Sequence, residues 1–221
     1  MYTWVKYLLW AFALSTYKSL PFAYYVRIYW VFGSNLILAK YFPYWKFTAK
    51  DIFRVDRFQT YNSPLECDFY LHKNNACYFE ELDIARSQLM TRNFQHFFHN
   101  YPTKSGGYVF VPVANIFGSF KKEIKPFARY HIDSRILAWD DKWIFILSKF
   151  VLNGSEAVAS TCVTKYVLKD GRKTVQPIEA IKFQGLYNDD AAKQNEENLK
   201  LCSWLVNTDQ LDSFEMGISN L

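Results

Sequence analysis

Asn75-Ala76-Cys77-Tyr78-Phe79-Glu80-Glu81-Leu82-Asp83-Ile84-Ala85-Arg86-Ser87-Gln88-Leu89 is the stretch from which the rest of the chain is read. Tyr78, Leu82, Ala85 and Leu89 recur at steps of four, three and four, the period of one helical face, and Glu80, Glu81, Asp83 and Arg86 are expected mostly on the other faces. The spacing predicts one long helix from about residue 75 to residue 99. Downstream the period changes to that of strands. Residues 107–120 are rich in Val and Phe, and residues 128–139 set Tyr130, Ile132, Ile136 and Ala138 against His131, Asp133 and Arg135. Asp140-Asp141 turns the chain into a strand at 143–152. Asn153-Gly154, a strong hairpin signal, returns it at 157–168, and Asp170-Gly171 starts a last short strand at 173–176. Upstream, residues 52–60 read as a strand, followed by a loop around Pro64.

One strand, one long helix and then four or more antiparallel strands make an α+β chain. Such a sheet buries its apolar face by curling around the helix. That order is the order of the hotdog fold. Residues 109–113 and 144–147 are apolar on both faces, so the outer face or edge of the sheet is expected to meet a partner, and a homodimer is the expectation.

The chain has 221 residues, of which 50% are hydrophobic and 21% charged, so a disordered or fibrous protein is excluded. The net charge of +5 is unevenly placed. Lys6, Lys18, Arg27, Lys40, Lys46 and Lys50 occupy the first fifty residues with no acid among them, which leaves 20 basic against 21 acidic residues in the remainder. A nucleic-acid module would concentrate its cations on the folded body, and no RNP, KH or zinc-finger pattern is present, so no nucleic-acid partner is expected. Cys67, Cys77, Cys162 and Cys202 form no C-x-x-C pair and suggest neither zinc nor a disulfide framework.

Aromatic residues are 19% of the chain, and twelve of them fall within residues 1–39. The apolar run 7–14 is too short for a spanning helix, which needs about 20 residues. It fits a signal-peptide core, a membrane anchor, or a helix packed on the domain. In the second run, 28–32, Arg27 is placed to snorkel to lipid phosphates, and acid-free segments rich in Trp and Tyr with spaced cations suit an anionic membrane surface.

Between the first strand and the helix stands Glu66-Cys67-Asp68-Phe69-Tyr70-Leu71-His72-Lys73-Asn74-Asn75-Ala76-Cys77-Tyr78-Phe79. A strand-to-helix junction offers unpaired N–H groups and the positive helix end, which can hold an oxyanion. The N–H of Asn75 or Ala76 is the expected donor. A nearby carboxylate, Asp68, can activate water or attack a carbonyl, with His72 and Asn74 orienting the water or sharing the proton. The bland reading is that Asp68 fixes the loop and the two asparagines cap the helix.

The stretch resembles the acyl-thioester hydrolases of the 4-hydroxybenzoyl-CoA thioesterase type, whose signature places an Asp, a short loop, a His, one variable residue, Asn-Asn and an aromatic at the helix start. Asp68, His72, Asn74, Asn75 and Tyr78 match it, and residues 81–86 continue the helix in the same way. Within that type the chain is similar to the thioesterase superfamily member 6-like proteins, which join the motif to a hydrophobic N-terminus and a membrane location. The likeness runs over about residues 20–185. Two positions depart from the wider family: its Gly before the His is Leu71 here, and the first acid of its Asp-x-Asp is Glu66.

The resemblance implies an acyl-CoA or related thioester hydrolase with Asp68, His72, Asn74 and Asn75 at the chemistry and Tyr78 near the substrate. Lys121 and Lys122, in a basic turn with Lys125 and Arg129, are candidates for the CoA phosphates. The alternative is a non-catalytic hotdog module that binds acyl chains or a protein partner at a membrane. No metal or redox cofactor is implied, and His96 and His99, three apart, are at most half of a metal site. No G-x-S-x-G, G-x-G-x-x-G or Walker sequence is present. The expected organisation is a hydrophobic membrane or signal segment at 1–40, a thioesterase-like domain at 41–187 and an extension at 188–221. The hydrophobic start fits the endoplasmic reticulum or secretory pathway, with mitochondria as the alternative address.

Overall fold

The computed structural model describes residues 2–47 and 50–206. Its centre is helix α4, Asn75–Asn93, against a curled antiparallel sheet. The N-terminal elements are α1 (Tyr2–Ser15), α2 (Ala23–Phe32), a π-helical stretch (Gly33–Leu38) and α3 (Ala39–Tyr41). The strands are β1 (Asp56–Tyr61), β2 (Val113–Phe120), β3 (Arg129–Trp139), β4 (Trp143–Leu152), β5 (Val158–Asp170) and β6 (Lys173–Val175). Their order is β1-β3-β4-β5-β2, with β6 paired to β5. All pairings are antiparallel. This is the expected α+β hotdog arrangement.

The helix meets the sheet in two apolar layers. Tyr78, Leu82 and Ala85 pack on Ile132, Phe150 and Cys162. Leu89, Met90 and Phe94 pack on Ile136, Ile144, Ile146 and Tyr166. The helix ends sooner than its periodicity suggests. Phe94 leaves helical geometry with φ −111° and ψ 28° and drives its ring into the core, and α5 (Gln95–Asn100) restarts beyond it.

Two strands also begin later than expected. The Asp51 carboxylate accepts the Phe53 N–H at 2.8 Å, so residues 51–54 turn instead of extending, although Ile52 and Phe53 are buried. Residues 107–112 stay off the ladder apart from a single bridge between Phe110 and Lys169, because Pro112 has no N–H to give and a bulge follows between Val113 and Asn115.

The apolar outer face of the sheet is covered by the chain itself. After α6 (Pro177–Gln184) come α7 (Asp189–Leu199), a 3-10 turn and α8 (Ser203–Val206). Leu199, Cys202 and Leu205 lie over Leu137, Phe145, Leu147 and Val163. Asn195 exchanges hydrogen bonds with the Trp139 backbone at 2.7 and 2.9 Å, and Asn198 donates to the Leu137 carbonyl at 2.8 Å. The two-sided hydrophobicity of β4 therefore has an internal cause, and this face does not call for a second molecule.

The largest difference from the sequence reading concerns charge. Glu81 and Arg86 are each 1% exposed, not on solvent faces. The Arg27 fork closes on both Glu81 oxygens at 2.7 and 2.8 Å, so it is not directed at lipid phosphates. Lys18, also buried, reaches Glu81 at 2.8 Å, Glu66 at 2.9 Å and the Thr60 hydroxyl at 3.2 Å, and Lys73 reaches the other Glu66 oxygen at 2.5 Å. Ile28 and Val31 of α2 pack on Ile84 of α4. Residues 16–41 are thereby built into the domain, held by two cations that neutralise two carboxylates of the body. Burial alone would push the Glu81 carboxyl up, but the Arg27 fork and Lys18 outweigh it and hold it at about 2. Burial lowers the Lys73 ammonium from its usual value, an effect that Glu66 opposes.

Candidate active site at the start of the central helix

The segment before α4 is a miniature hairpin. Cys67 and Lys73 bridge as antiparallel partners, the Asp68 N–H bonds the His72 carbonyl at 3.0 Å, and the Leu71 N–H bonds the Asp68 carbonyl at 3.0 Å. Such a tight return needs one left-handed residue, and Leu71 takes it with φ 59°. This is the position where the resembled family has Gly. Phe69, Tyr70 and Leu71 stand out from the tip, each about 70% exposed or more.

Asp68 sits at the base of the turn, half-buried. One of its oxygens accepts the Tyr70 N–H at 3.0 Å and lies 3.6 Å from His72 Nδ1. That spacing is wide for a hydrogen bond, and the same Nδ1 lies 3.4 Å from the Lys73 carbonyl. The His72 ring stacks on Tyr70, with centroids 5.8 Å apart. Asn74 is the N-cap of α4: its side chain accepts the Ala76 N–H at 2.9 Å, and its own N–H bonds the Glu66 carbonyl. The Ala76 donor is thus occupied, and the Asn75 N–H remains as the first donor at the helix end. Asn75 itself is exposed.

Tyr78 lies in the core, with its ring against Phe120 and Phe150 and its phenol pushed up by burial. Lys121 and Lys122 are exposed where β2 ends, and both their N–H groups bond the Ala159 carbonyl. Two residues on, the Ile124 carbonyl accepts from both the Lys73 N–H and the Asn62 amide, at 2.8 Å each. The basic turn and the Asp68 hairpin are therefore stitched together. His96 stacks on Phe183, and His99 bonds the Leu36 carbonyl. Among the described residues no group of three His, Cys, Asp or Glu is placed to hold a metal.

A cavity lies further along the helix. A cleft of about 1290 Å³ runs along α4 between α2 and residues 108–113, from Asp83 and Arg86 to Gln95 and Gln184. A smaller, more open cleft shares Tyr24, Asp83, Arg86 and Val113 with it and reaches Phe79 and Glu80, one helical turn from Asn75; Asp68, His72, Asn74 and Asn75 line neither. Sequence reasoning missed Glu81, Arg86, Lys73, Lys18 and Tyr24, which shape this region. For two of them the signal was present: Glu81 stands three after Tyr78 and four before Ala85, and Arg86 stands four after Leu82 and three before Leu89, so both share the apolar face.

Residues 63–185 match the family model described as the thioesterase-like superfamily. The chain belongs to that superfamily. It is 46% identical over 203 residues to a probable thioesterase of Saccharomyces cerevisiae, covering 89% of this chain and 86% of that protein. It is 25% identical over 126 residues to protein THEM6 of Xenopus laevis, covering 53% and 54%. Among solved structures, a 1,4-dihydroxy-2-naphthoyl-CoA thioesterase from Synechocystis superposes with a TM-score of 0.51 at 11% identity, over 62% of this chain and 98% of that one, which supports the shared fold. Membership of this superfamily supports thioester hydrolysis as the activity.

Proposed function

We propose that the protein hydrolyses acyl-CoA or related acyl thioesters at the N-terminus of α4, with Asp68 as the base or nucleophile. The observation that carries this reading is the half-buried Asp68 carboxylate beside His72, in a hairpin that ends at the free Asn75 N–H. With the thioester carbonyl on that N–H, the helix end stabilises the oxyanion. Asp68 takes a proton from water as the water oxygen attacks the carbonyl carbon. The tetrahedral intermediate then collapses, the C–S bond breaks, and the thiolate leaves and takes up a proton. His72 orients the water, and Asn74 keeps the helix end capped. The acyl chain lies in the cleft along α4, and Lys121 and Lys122 face the CoA phosphates.

The membrane part of the reading rests on α1. None of its fourteen residues is buried, it carries no acid, and at about 21 Å it is shorter than the hydrocarbon core. Among the described residues no helix is long and apolar enough to cross a membrane. We place α1 in the headgroup boundary together with the Phe69–Leu71 tip. The last residue of α1 is tied to β1, where Tyr61 donates to the Ser15 carbonyl, and the turn after it to the residue before the hairpin, where Ser19 donates to Glu66. A homodimer would form through β2, an edge strand without charged residues that exposes Val113, Phe117 and Phe120.

The test is hydrolysis by the full chain of acyl-CoAs of increasing length, with Asp68→Ala beside it. A loss of about 10²-fold or more in the folded variant supports the reading. Wild-type rates in the variant would remove Asp68 from the mechanism. Binding of acyl-CoA without turnover at any length would make the protein a lipid-binding module.

A further inference from the structure

The hairpin that carries Asp68 is joined to α4 by more than the chain between them. Glu66, two residues before Asp68, is buried, and its carboxylate is shared. One oxygen meets Lys18 Nζ at 2.9 Å and accepts from the Ser19 hydroxyl at 3.1 Å, and the other meets Lys73 Nζ at 2.5 Å. Lys73 belongs to the hairpin and is bridged to Cys67, so its ion pair closes the hairpin base from within. Lys18 comes from outside. Its ammonium also lies 2.8 Å from Glu81, six residues beyond Asn75 on α4, and donates to the Thr60 hydroxyl of β1 at 3.2 Å. One buried cation therefore ties the residue that enters the hairpin to the helix that leaves it.

Charge shows what Lys18 adds. Lys18, Arg27 and Lys73 are three cations against the two carboxylates Glu66 and Glu81. Without Lys18 the cluster still closes as two neutral pairs, Lys73 with Glu66 and Arg27 with Glu81. Neutralising the carboxylates does not need Lys18, and burying a surplus ammonium is costly. The rings of Tyr61 and Tyr130, centred 5.1 and 5.9 Å from its Nζ, offset part of that cost. Of the three cations only Lys18 touches both carboxylates. The backbone joins the same two pieces once, where the Asn74 N–H bonds the Glu66 carbonyl at 2.8 Å, so losing Lys18 loosens the joint without opening it. The joint matters because it sets where Asp68 stands relative to the Asn75 N–H, and a displacement of about 1 Å between a base and an oxyanion donor is enough to slow catalysis.

We propose that Lys18 is a positioning residue for Asp68, acting through Glu66 and Glu81 to hold the hairpin in register with the start of α4. The proposal rests on hydrolysis by Asp68 at the Asn75 N–H, and it brings a residue of the N-terminal segment into the working of that site.

The test compares the full chain with Lys18→Met, which keeps the reach of the side chain and leaves the two neutral pairs. Steady-state hydrolysis of a long-chain acyl-CoA is measured together with hydrogen exchange at the Asp68, Leu71 and Asn74 amides, with amides of β3 and β4 as reference. The expected result is a kcat about tenfold lower at a KM within about twofold of the wild type, with the hairpin amides exchanging about tenfold faster and the reference amides unchanged. A wild-type kcat or wild-type hairpin exchange in the variant overturns the proposal. So does exchange that rises equally in hairpin and sheet, which would make Lys18 a general support of the fold. Should Lys18→Met not fold, Glu66→Gln replaces it, leaving Glu81 with Lys18 and Arg27: the same fall in kcat at constant KM with faster hairpin exchange supports the tie, and wild-type values of either overturn it. Absence of turnover by the wild type, with hairpin exchange still raised in the variant, would count against the hydrolytic reading and leave the tie between hairpin and helix standing.

Discussion

The two ends of α4 do different work with different materials. At its start the chain is thin, wet and hydrogen-bonded: a seven-residue hairpin holds Asp68, His72 and Asn74 by backbone bonds, with little apolar burial. Along its middle and far end the helix is roofed by α2 and lined by hydrocarbon, with a cavity of about 1290 Å³. One end offers reactive groups without space, and the other offers space without an exposed nucleophile. A hydrolase of acyl thioesters needs both, and the second cleft reaches Phe79 and Glu80, one helical turn short of Asn75. Between the two lies Glu81, whose ion pairs fix the roof in place.

Removing that link breaks the comparison most severely. A chain starting at residue 42 loses Lys18 and Arg27, leaving Glu66 and Glu81 with Lys73 alone and exposing Ile84 of α4. It is expected to aggregate or to lose cooperative thermal unfolding. A folded, active truncation would show that the roof is dispensable.

Glu81→Gln is the milder version. It leaves the buried Lys18 with Glu66 as its one carboxylate and the part-buried Arg27 without its ion pair, and should cost about 3 kcal/mol in denaturant unfolding. It should also change the acid limb of stability. The folded Glu81 carboxyl titrates at about 2, below its ordinary value of 4.5, so its contribution is present above pH 4.5 and is lost as pH falls toward 2. The variant's stability should therefore fall less steeply than the wild type's over that window, and parallel curves would contradict the assignment.

Met90→Trp sharpens the comparison by acting on one end only. Met90 lines the cleft well beyond Arg86. A bulky ring there should cut turnover of long acyl chains about tenfold and leave short ones near the wild-type rate. An equal loss at all lengths would place the acyl chain elsewhere.

Leu71→Gly, the smallest change, touches only the hairpin. At φ 59° a Leu is strained where Gly is not, and the substitution should stabilise the protein by up to about 1 kcal/mol. Destabilisation would mean that the exposed Leu71 side chain is in a contact that outweighs the strain.

Much of the fold was legible because period alone specifies it: the face of Tyr78, Leu82 and Ala85 and the alternation in 129–139 need no distant information. The hairpin was legible through its residue types and its resemblance. What was not legible was the long-range pairing of charge. Lys18 and Arg27 look like solvent or lipid cations until Glu66 and Glu81 are known to face them across more than forty residues of chain. The first part of the cover over the outer sheet face was hidden for the same reason: residues 189–198 have only Ala191 and Ala192 as apolar side chains, and their dock on β3 is made by Asn195 and Asn198.

The central claim is that chemistry belongs to the start of α4 and acyl binding to its length. The direct measurement is calorimetric titration of folded Asp68→Ala with a long-chain acyl-CoA, alongside single-turnover hydrolysis of the same compound. The account predicts wild-type affinity with turnover reduced by about 10²-fold or more. Undiminished turnover, or affinity lost together with turnover, would contradict it.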